Sequence, residues 1–292
     1  MNIKSNNLVS IGMPTRNRAA VLPRALDALL SQTHRNIELI VSDDCSTDET
    51  QKICEAYVAR DPRVRYVRHS NTIGHIANSA YVLRQARGEY FMWAADDDRW
   101  DPRFIQKLVE ALEQNPSHQL AMSSYQRVYR DGEIFDSVVF SGSADLIRCS
   151  NLALYRKMAR REAVHHAICG VWQKPFLEKL FSRPTPKGIH WGRVFMGEAA
   201  LATRIASVPE LLFFKDQNRT PLKKQYKHQE IGDAYSAPFA YSRYVWHLLW
   251  HPLTSSAVPV HRKLAVPFLW LETLWFERDR IFWDFVRAFR RL

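Results

Sequence analysis

Along the first 118 residues, short strand-like runs alternate with apolar positions at helical spacing. The runs "LVSIGM" (8–13), "IELIVS" (37–42), "VRYVR" (64–68) and "EYFMWAA" (89–95) read as strands. Between the first two, Leu22, Ala25, Leu26, Leu29 and Leu30 recur as one face of a helix. Ile53, Cys54 and Tyr57 mark a second helix, with Ser46 and Thr47 as candidate N-caps. Residues 75–87 predict a third, and a fourth follows Pro102, a residue suited to a first helical turn. Strands alternating with helices predict an α/β fold with a mostly parallel sheet covered on both faces. After residue 118 the pattern changes: "QLAMSSYQRVYRDGEIFDSVVF" reads as strands around an Asp131-Gly132 turn, followed by a mixed region to about residue 235.

The tail, 239–292, differs again, holding five of the nine tryptophans and 13 aromatic residues interleaved with basic ones. Leu271, Leu274, Trp275, Ile281, Phe282, Phe285, Phe289 and Leu292 form a rough helical stripe, with Arg278, Arg280, Arg287, Arg290 and Arg291 available to other faces. Such a segment suits a helix packed on its own domain, a dimer contact, or an amphipathic helix in a membrane interface, where Trp and Arg meet anionic lipid.

Composition narrows the class. At 292 residues, 46% hydrophobic and 24% charged, the chain suits a globular protein with a full core. No run of 18 apolar residues predicts a membrane span, and "MNIKSNNLVS" does not read as a signal peptide. Cys45, Cys54, Cys149 and Cys169 lack CxxC spacing, so reduced thiols and a cytoplasmic location are expected, with no zinc site. Lys plus Arg exceed Asp plus Glu by 41 to 30, a net charge of +11, which suits a polyanionic partner. No helix-turn-helix, RNP or zinc-finger signature accompanies that charge, so nucleic acid is not the expected partner. Neither GxGxxG nor GxxxxGK[ST] occurs, which leaves phosphate binding to metal and scattered basic residues.

Two acidic clusters stand at predicted strand ends, Asp43-Asp44 and Asp96-Asp97-Asp98. In open parallel sheets, ligands bind outside the carboxyl ends of the strands. Adjacent carboxylates become tolerable when a divalent cation compensates them, and hard cations take oxygen ligands while bridging phosphates. A metal–diphosphate seat fits; so does a solvated cluster in which Asp97 and Asp98 serve the helix after Pro102.

In order along the chain, "VSIGMPTRNR", "ELIVSDDCSTDET", "NTIGHIANSAYVLRQARGEY", "AADDDRWDP" and "MGEAALATRI" resemble the motifs of family 2 glycosyltransferases of the GT-A fold. The resemblance covers roughly residues 8–220, is closest in style to small bacterial polysaccharide enzymes of the spore-coat type, and leaves the tail outside. It implies a GT-A, Rossmann-like domain over 1–235, with a nucleotide-sugar half (1–118) and an acceptor half (119–235). A C-terminal helical extension would then occupy 236–292. It implies metal-dependent, inverting transfer from a nucleoside-diphosphate sugar, UDP by default, to a glycan or lipid-linked acceptor. A catalytically silent nucleotide-sugar binder or scaffold is the alternative.

By position, the resemblance assigns Pro14, Thr15 and Arg16 to the nucleotide pocket and Asp44 to the base, supported by Asp43. Asn71 and Gly74 would bound the donor sugar, Arg87 would lie near the metal strand, and Asp96 would face the ribose. Asp97 would hold Mn²⁺ or Mg²⁺, with Asp98 on the metal or the donor sugar. The family often reads Asp-x-Asp-Asp here, and Ala95 takes the first Asp position. Glu198 in "GEAALATR", with Leu201 and Arg204 following, matches the family's general base, although its preceding neighbour, often acidic, is Gly197. Arg16, Lys215 or Arg219 would assist at the phosphates, and His165 and His166 are candidate acceptor contacts. The implied location is cytoplasmic, peripheral to the inner membrane face if the tail binds lipid.

Overall fold

The computed structural model describes residues 7–129, 132–139, 150–160, 165–182, 190–217 and 239–289. In chain order the elements begin β1 (Val9–Thr15), α1 (Leu22–Leu30), β2 (Ile37–Asp43), α2 (Thr50–Arg60), β3 (Val64–Arg68), α3 (His75–Gln85) and β4 (Tyr90–Trp93). There follow β5 (Arg99–Trp100), α4 (Phe104–Gln114), β6 (His118–Tyr129), β7 (Ile134–Val138), α5 (Asn151–Ala159) and β8 (Val171–Gln173). The last are α6 (Lys174–Phe181), α7 (Trp191–Ala202), β9 (Arg204–Gln217), α8 (Ala240–Thr254), α9 (Val260–Lys263) and α10 (Val266–Phe289).

The strands form a nine-stranded sheet in the order β3-β2-β1-β4-β8-β6-β9-β5, with β7 paired to β6. β1, β2, β3 and β4 pair in parallel, and β8 continues the sheet antiparallel to β4. The chain steps outward from β1 to β3, then returns across β1 to form β4. Because β-α-β crossovers are right-handed, α3 is placed on the opposite face from α1 and α2. β1 and β2 are buried along almost their whole length, so their apolar residues do not alternate with exposed polar ones, and the polar residues they hold, such as Ser10 and Glu38, are buried too. Gly12 keeps β1 low beneath α3: a Cβ there would meet Val82 Cγ2 and Phe91 Cζ at 2.7 Å.

Helix limits depend on hydrogen bonds the sequence pattern does not show. Ser46 and Thr47 do not cap α2, which begins at Thr50. The Ser46 hydroxyl instead donates to Asp43 Oδ1, and the Thr50 N–H is taken by Asp48. α3 stops at Gln85, short of 87, because the Arg87 N–H donates to Glu38 Oε1 (2.7 Å) and the Gly88 N–H to Ser10 Oγ (2.8 Å). The α4 start is served by Asp101, which accepts the Arg103 N–H, and by Gln32, which accepts the Ile105 N–H. Asp97 and Asp98 are therefore not its caps. In the β6–β7 hairpin, Gly132 holds φ +91°, a value that favours glycine; Asp131 lies outside the described residues.

The buried Glu38 ties four segments together at the amino-terminal edge of the sheet. It accepts from Ser10 Oγ (2.6 Å), the Arg87 N–H and Arg65 Nη1 (2.9 Å). Burial alone would raise its carboxyl, but these three donors outweigh it and hold the group below the ordinary glutamate value. A depressed acid stabilises the fold above its unfolded pKa, and that stability is lost as pH falls through the folded value. Glu38→Gln is expected to melt lower than wild type at pH 7, by about 1.5–3 kcal/mol. The gap should close in melts below about pH 4; a gap independent of pH would contradict this role.

The chain divides into two compact units, and the division differs from the boundary expected at 235/236. The first takes residues to 147, 168–178 and 205–219, and the second takes 148–167, 179–204 and 220–292. In the second, α8 and α10 of the tail pack with α5 and α7 around Tyr155, Val194, Leu201, Tyr244, Leu248 and Leu269. The reason is that α7 buries every residue from Val194 to Leu201, so its apolar surface requires cover on all sides. Tyr155 Oη donates to the Leu248 carbonyl (2.6 Å), and Asp284 of α10 accepts the Tyr241 and Ser242 N–H groups, capping α8. The expected stripe from Leu271 to Phe289 lies on the single helix α10, Leu292 lies outside the described residues, and no described helix is long and apolar enough to cross a membrane.

Candidate active site

The order β3-β2-β1-β4 reverses direction between β1 and β4, and this switch point opens a crevice at the carboxyl ends of the strands. Thr15, Asp43 and Asp96 all stand there. Thr15 Oγ1 donates to Asp96 Oδ2 across the switch point (2.7 Å), and Arg18 Nε lies 3.2 Å from Asp96 Oδ1. Burial pushes the Asp96 carboxyl up to about 7 against the pull of Arg18, with Asp97 adding to the rise.

Two loops clasp one another beside this point. Asn17 (φ 51°) and Cys45 (φ 61°) both adopt the left-handed region, which is strained for residues bearing a Cβ. The Asn17 N–H donates to Ser46 Oγ, its side chain accepts the Thr47 N–H, and the Arg18 N–H donates to Thr50 Oγ1. These bonds hold the β1 and β2 tips in register.

Asp43 is fully buried and taken up by structure: Oδ1 accepts from Ser46, and Oδ2 accepts from Tyr66 Oη (2.8 Å). Asp44 reaches the loop before α3, where Oδ1 accepts the Ile73 N–H (2.6 Å) and Oδ2 the Gly74 N–H (3.1 Å). Gly74 holds φ +87° at the head of α3, so a side chain there would strain the loop that Asp44 grips. A carboxylate offers about four acceptor positions, so two remain on Asp44. Pro14 is half-buried, and Arg16 and Asn71 are exposed at the same strand tips. Arg87 is not brought to this place. It lies before β4, at the opposite edge of the sheet, where its N–H bonds Glu38.

The three aspartates of "AADDDRW" separate in environment. Asp98 is fully buried and paired: Lys215 Nζ lies 3.0 Å from Oδ2, and the Asp216 N–H donates to Oδ1 (3.1 Å). Burial pushes Asp98 up to about 6 despite Lys215. For Lys215, burial pulls downward, but the Asp98 charge outweighs it and holds the ammonium above its ordinary value. Lys215 is thus committed to Asp98, and Arg219 lies outside the described residues. Arg24 clamps the same loop, donating to the Asp97 carbonyl (2.8 Å) and to Asp216 (2.5 Å). Asp97 alone of the three is half-exposed, and its carboxylate has no ion-pair partner among the described residues.

No three His, Cys, Asp or Glu side chains gather into a cage among the described residues. A single oxygen donor suits a hard cation that takes its other ligands from a diphosphate and water, so Asp97 fits a Mn²⁺ or Mg²⁺ ligand. Asp98 is fully buried and its charge is already matched by Lys215, so Asp97 is the more open of the two oxygen donors. Cysteine chemistry is not indicated either: burial pushes the Cys54 and Cys169 thiols up to about 12. Cys45, Cys54 and Cys169 are free thiols, and Cys149 lies outside the described residues.

In the second unit, Glu198 sits mid-way along α7 and is 2% exposed, so it is no surface charge. His251 Nδ1 of α8 lies 3.7 Å from Glu198 Oε2, and the His251 ring meets His247 edge-on at 5.3 Å. His166 is buried, and the His165 side chain lies outside the described set. Arg18, Arg24, Asp216 and His251 escaped the sequence reading. Only the polar "TRNR" after β1 hinted at Arg18; the others meet their partners from remote segments.

Residues 10–181 match the sequence model of glycosyl transferase family 2. The chain belongs to glycosyl transferase family 2. Among similar proteins, it is 28% identical over 179 residues to WcaA of Escherichia coli K12, provisionally named a colanic acid biosynthesis glycosyl transferase, covering 61% of this chain and 62% of WcaA. It is 28% identical over 130 residues to glycosyltransferase GlyG of Streptococcus pneumoniae, covering 44% of this chain and 43% of GlyG. The matched region spans less than two thirds of either relative. TarS of S. aureus, solved with UDP-GlcNAc, superposes with TM-score 0.70 at 17% identity, covering 93% of this chain and 72% of that one. Mannosyltransferase PcManGT from Pyrobaculum calidifontis, solved with GDP-Man and Mn²⁺, gives TM-score 0.54 at 17% identity, covering 93% and 74%. At such identities the likeness shows the fold, and this family 2 member has the α/β architecture of the GT-A class.

Proposed function

We propose that this family 2 chain is an inverting, metal-dependent glycosyltransferase that moves a sugar from a UDP-sugar to a hydroxyl of a glycan or lipid-linked acceptor in surface polysaccharide synthesis. The observation that carries the reading is the division of labour at the switch point. Asp96 bridges β1 and β4, Asp98 is neutralised within the fold, and Asp97 is left facing solvent. UDP-GlcNAc in TarS and GDP-Man with Mn²⁺ in PcManGT support the donor class and the metal.

In this reading Asp44 accepts a base N–H with its remaining acceptor positions, and Asp96 takes the ribose. Asp97 holds the divalent ion, which when bound supplies Lewis-acid stabilisation of the leaving diphosphate. Glu198 takes the proton of the acceptor hydroxyl as its oxygen bonds the anomeric carbon. The bond from that carbon to the β-phosphate oxygen breaks, releasing UDP with inversion.

A thermal-shift series with UDP, GDP and dTDP, with and without Mn²⁺, tests the donor site. At a hundredfold excess over Kd, a ligand that binds only the folded state adds about 2.7 kcal/mol. UDP with Mn²⁺ is expected to give the largest rise, and Asp97→Ala to remove the Mn²⁺-dependent part. Equal shifts in Asp97→Ala and wild type would exclude Asp97 as the ligand.

A further inference from the structure

We infer that the outer face of α10 docks on an anionic lipid bilayer, lying flat in its interface. This inference stands on the second unit alone and does not depend on the reading of the donor site.

The helix is turned inside out relative to an ordinary surface helix. Its carboxylates mostly point inward: Glu277 and Asp284 are buried, and Glu272 pairs with Arg156 and Arg160 of the α5 segment. Phe268, Leu271, Trp275, Phe282 and Phe285 are exposed, between 47% and 71%. Their spacing of three, four, seven and three residues places them on one stripe along the helix. Arg278 falls on the same stripe, its guanidinium 4.5 Å from the Trp275 ring centroid. Asp279 is the one acid of α10 largely open to water, and Arg278 lies 3.8 Å from it.

Apolar surface of this extent on a helix that could have carried its acids outward needs a partner. The charge balance selects which one. Residues 239–292 carry Arg243, Arg262, Lys263, Arg278, Arg280, Arg287, Arg290 and Arg291 against four acids, three of which are turned inward or paired. A basic segment whose exposed stripe carries Trp, Phe, Leu and Arg278 complements an anionic leaflet, where indole rings settle at headgroup level and arginine meets phosphate. The 24 residues of α10 do not cross a membrane, which leaves the in-plane arrangement.

Flotation of the full chain with phosphatidylcholine vesicles, with and without phosphatidylglycerol, tests this. Binding to the anionic vesicles is expected to exceed binding to the neutral ones by about tenfold or more at low salt and to weaken as salt rises. Trp275→Ser with Phe282→Ser should lose it at an unchanged melting temperature; should that pair unfold, Arg278→Glu should weaken anionic binding on its own. Absence of flotation overturns the inference. So does equal binding by all variants, or a wild-type dimer in sedimentation that dissociates in the double variant while vesicles are ignored, since the stripe would then be a contact between copies.

Discussion

Glu198→Gln is expected to lower sugar transfer by about 10²–10⁴-fold while leaving the UDP-induced rise in melting temperature intact. The amide keeps the shape of the carboxyl but cannot take the acceptor proton. Glu198 is 2% exposed on α7 with His251 Nδ1 3.7 Å from its carboxylate, and a buried carboxylate beside a titratable ring is the pattern of an acid–base site. Transfer is measured with a UDP-sugar, Mn²⁺ and a soluble glycan acceptor. Retained transfer in the variant would remove Glu198 from the reaction. A wild-type chain that binds UDP yet neither transfers nor hydrolyses any donor would favour the silent binder instead.

Lys215→Met should destabilise the protein by about 3 kcal/mol, because it leaves the fully buried Asp98 carboxylate without its counter-charge. The Asp216 N–H would remain as a donor to Asp98, but no positive charge would face it. Adding Asp98→Asn to Lys215→Met is expected to recover most of the loss, since the two residues form one unit and their effects do not add. Thermal melts of the two single variants and the double variant give the coupling directly. Additive losses would mean that the lysine acts elsewhere.

Much of the nucleotide half was legible in the sequence because its signals are local. β3 spans 64–68 as its β-branched and aromatic positions predict, and β1, β2 and β4 differ from their expected bounds by a few residues at the ends. A strand buried on both faces declares itself by apolar residues at successive positions, as in Leu39-Ile40-Val41 of β2. The positions of Asp43, Asp44 and Asp96 followed from those runs. The helix caps did not follow, since the Ser46 hydroxyl bonds Asp43 and the Asn17 N–H, and α2 begins only at Thr50. Arg87 was misplaced because a resemblance by motif order does not state at which end of a strand a residue falls.

The sequence by itself determined that carboxylates gather at strand ends in an α/β sheet, and that the tail is aromatic and basic. Both are properties of neighbouring residues. Only the tertiary structure decided which aspartate faces solvent, because the choice rests on Lys215, 117 residues from Asp98. It also decided that the tail packs with α5 and α7, and that α10 turns its acids inward. Those outcomes depend on partners brought together by folding, and no local pattern encodes which of several charges will be matched across such distances.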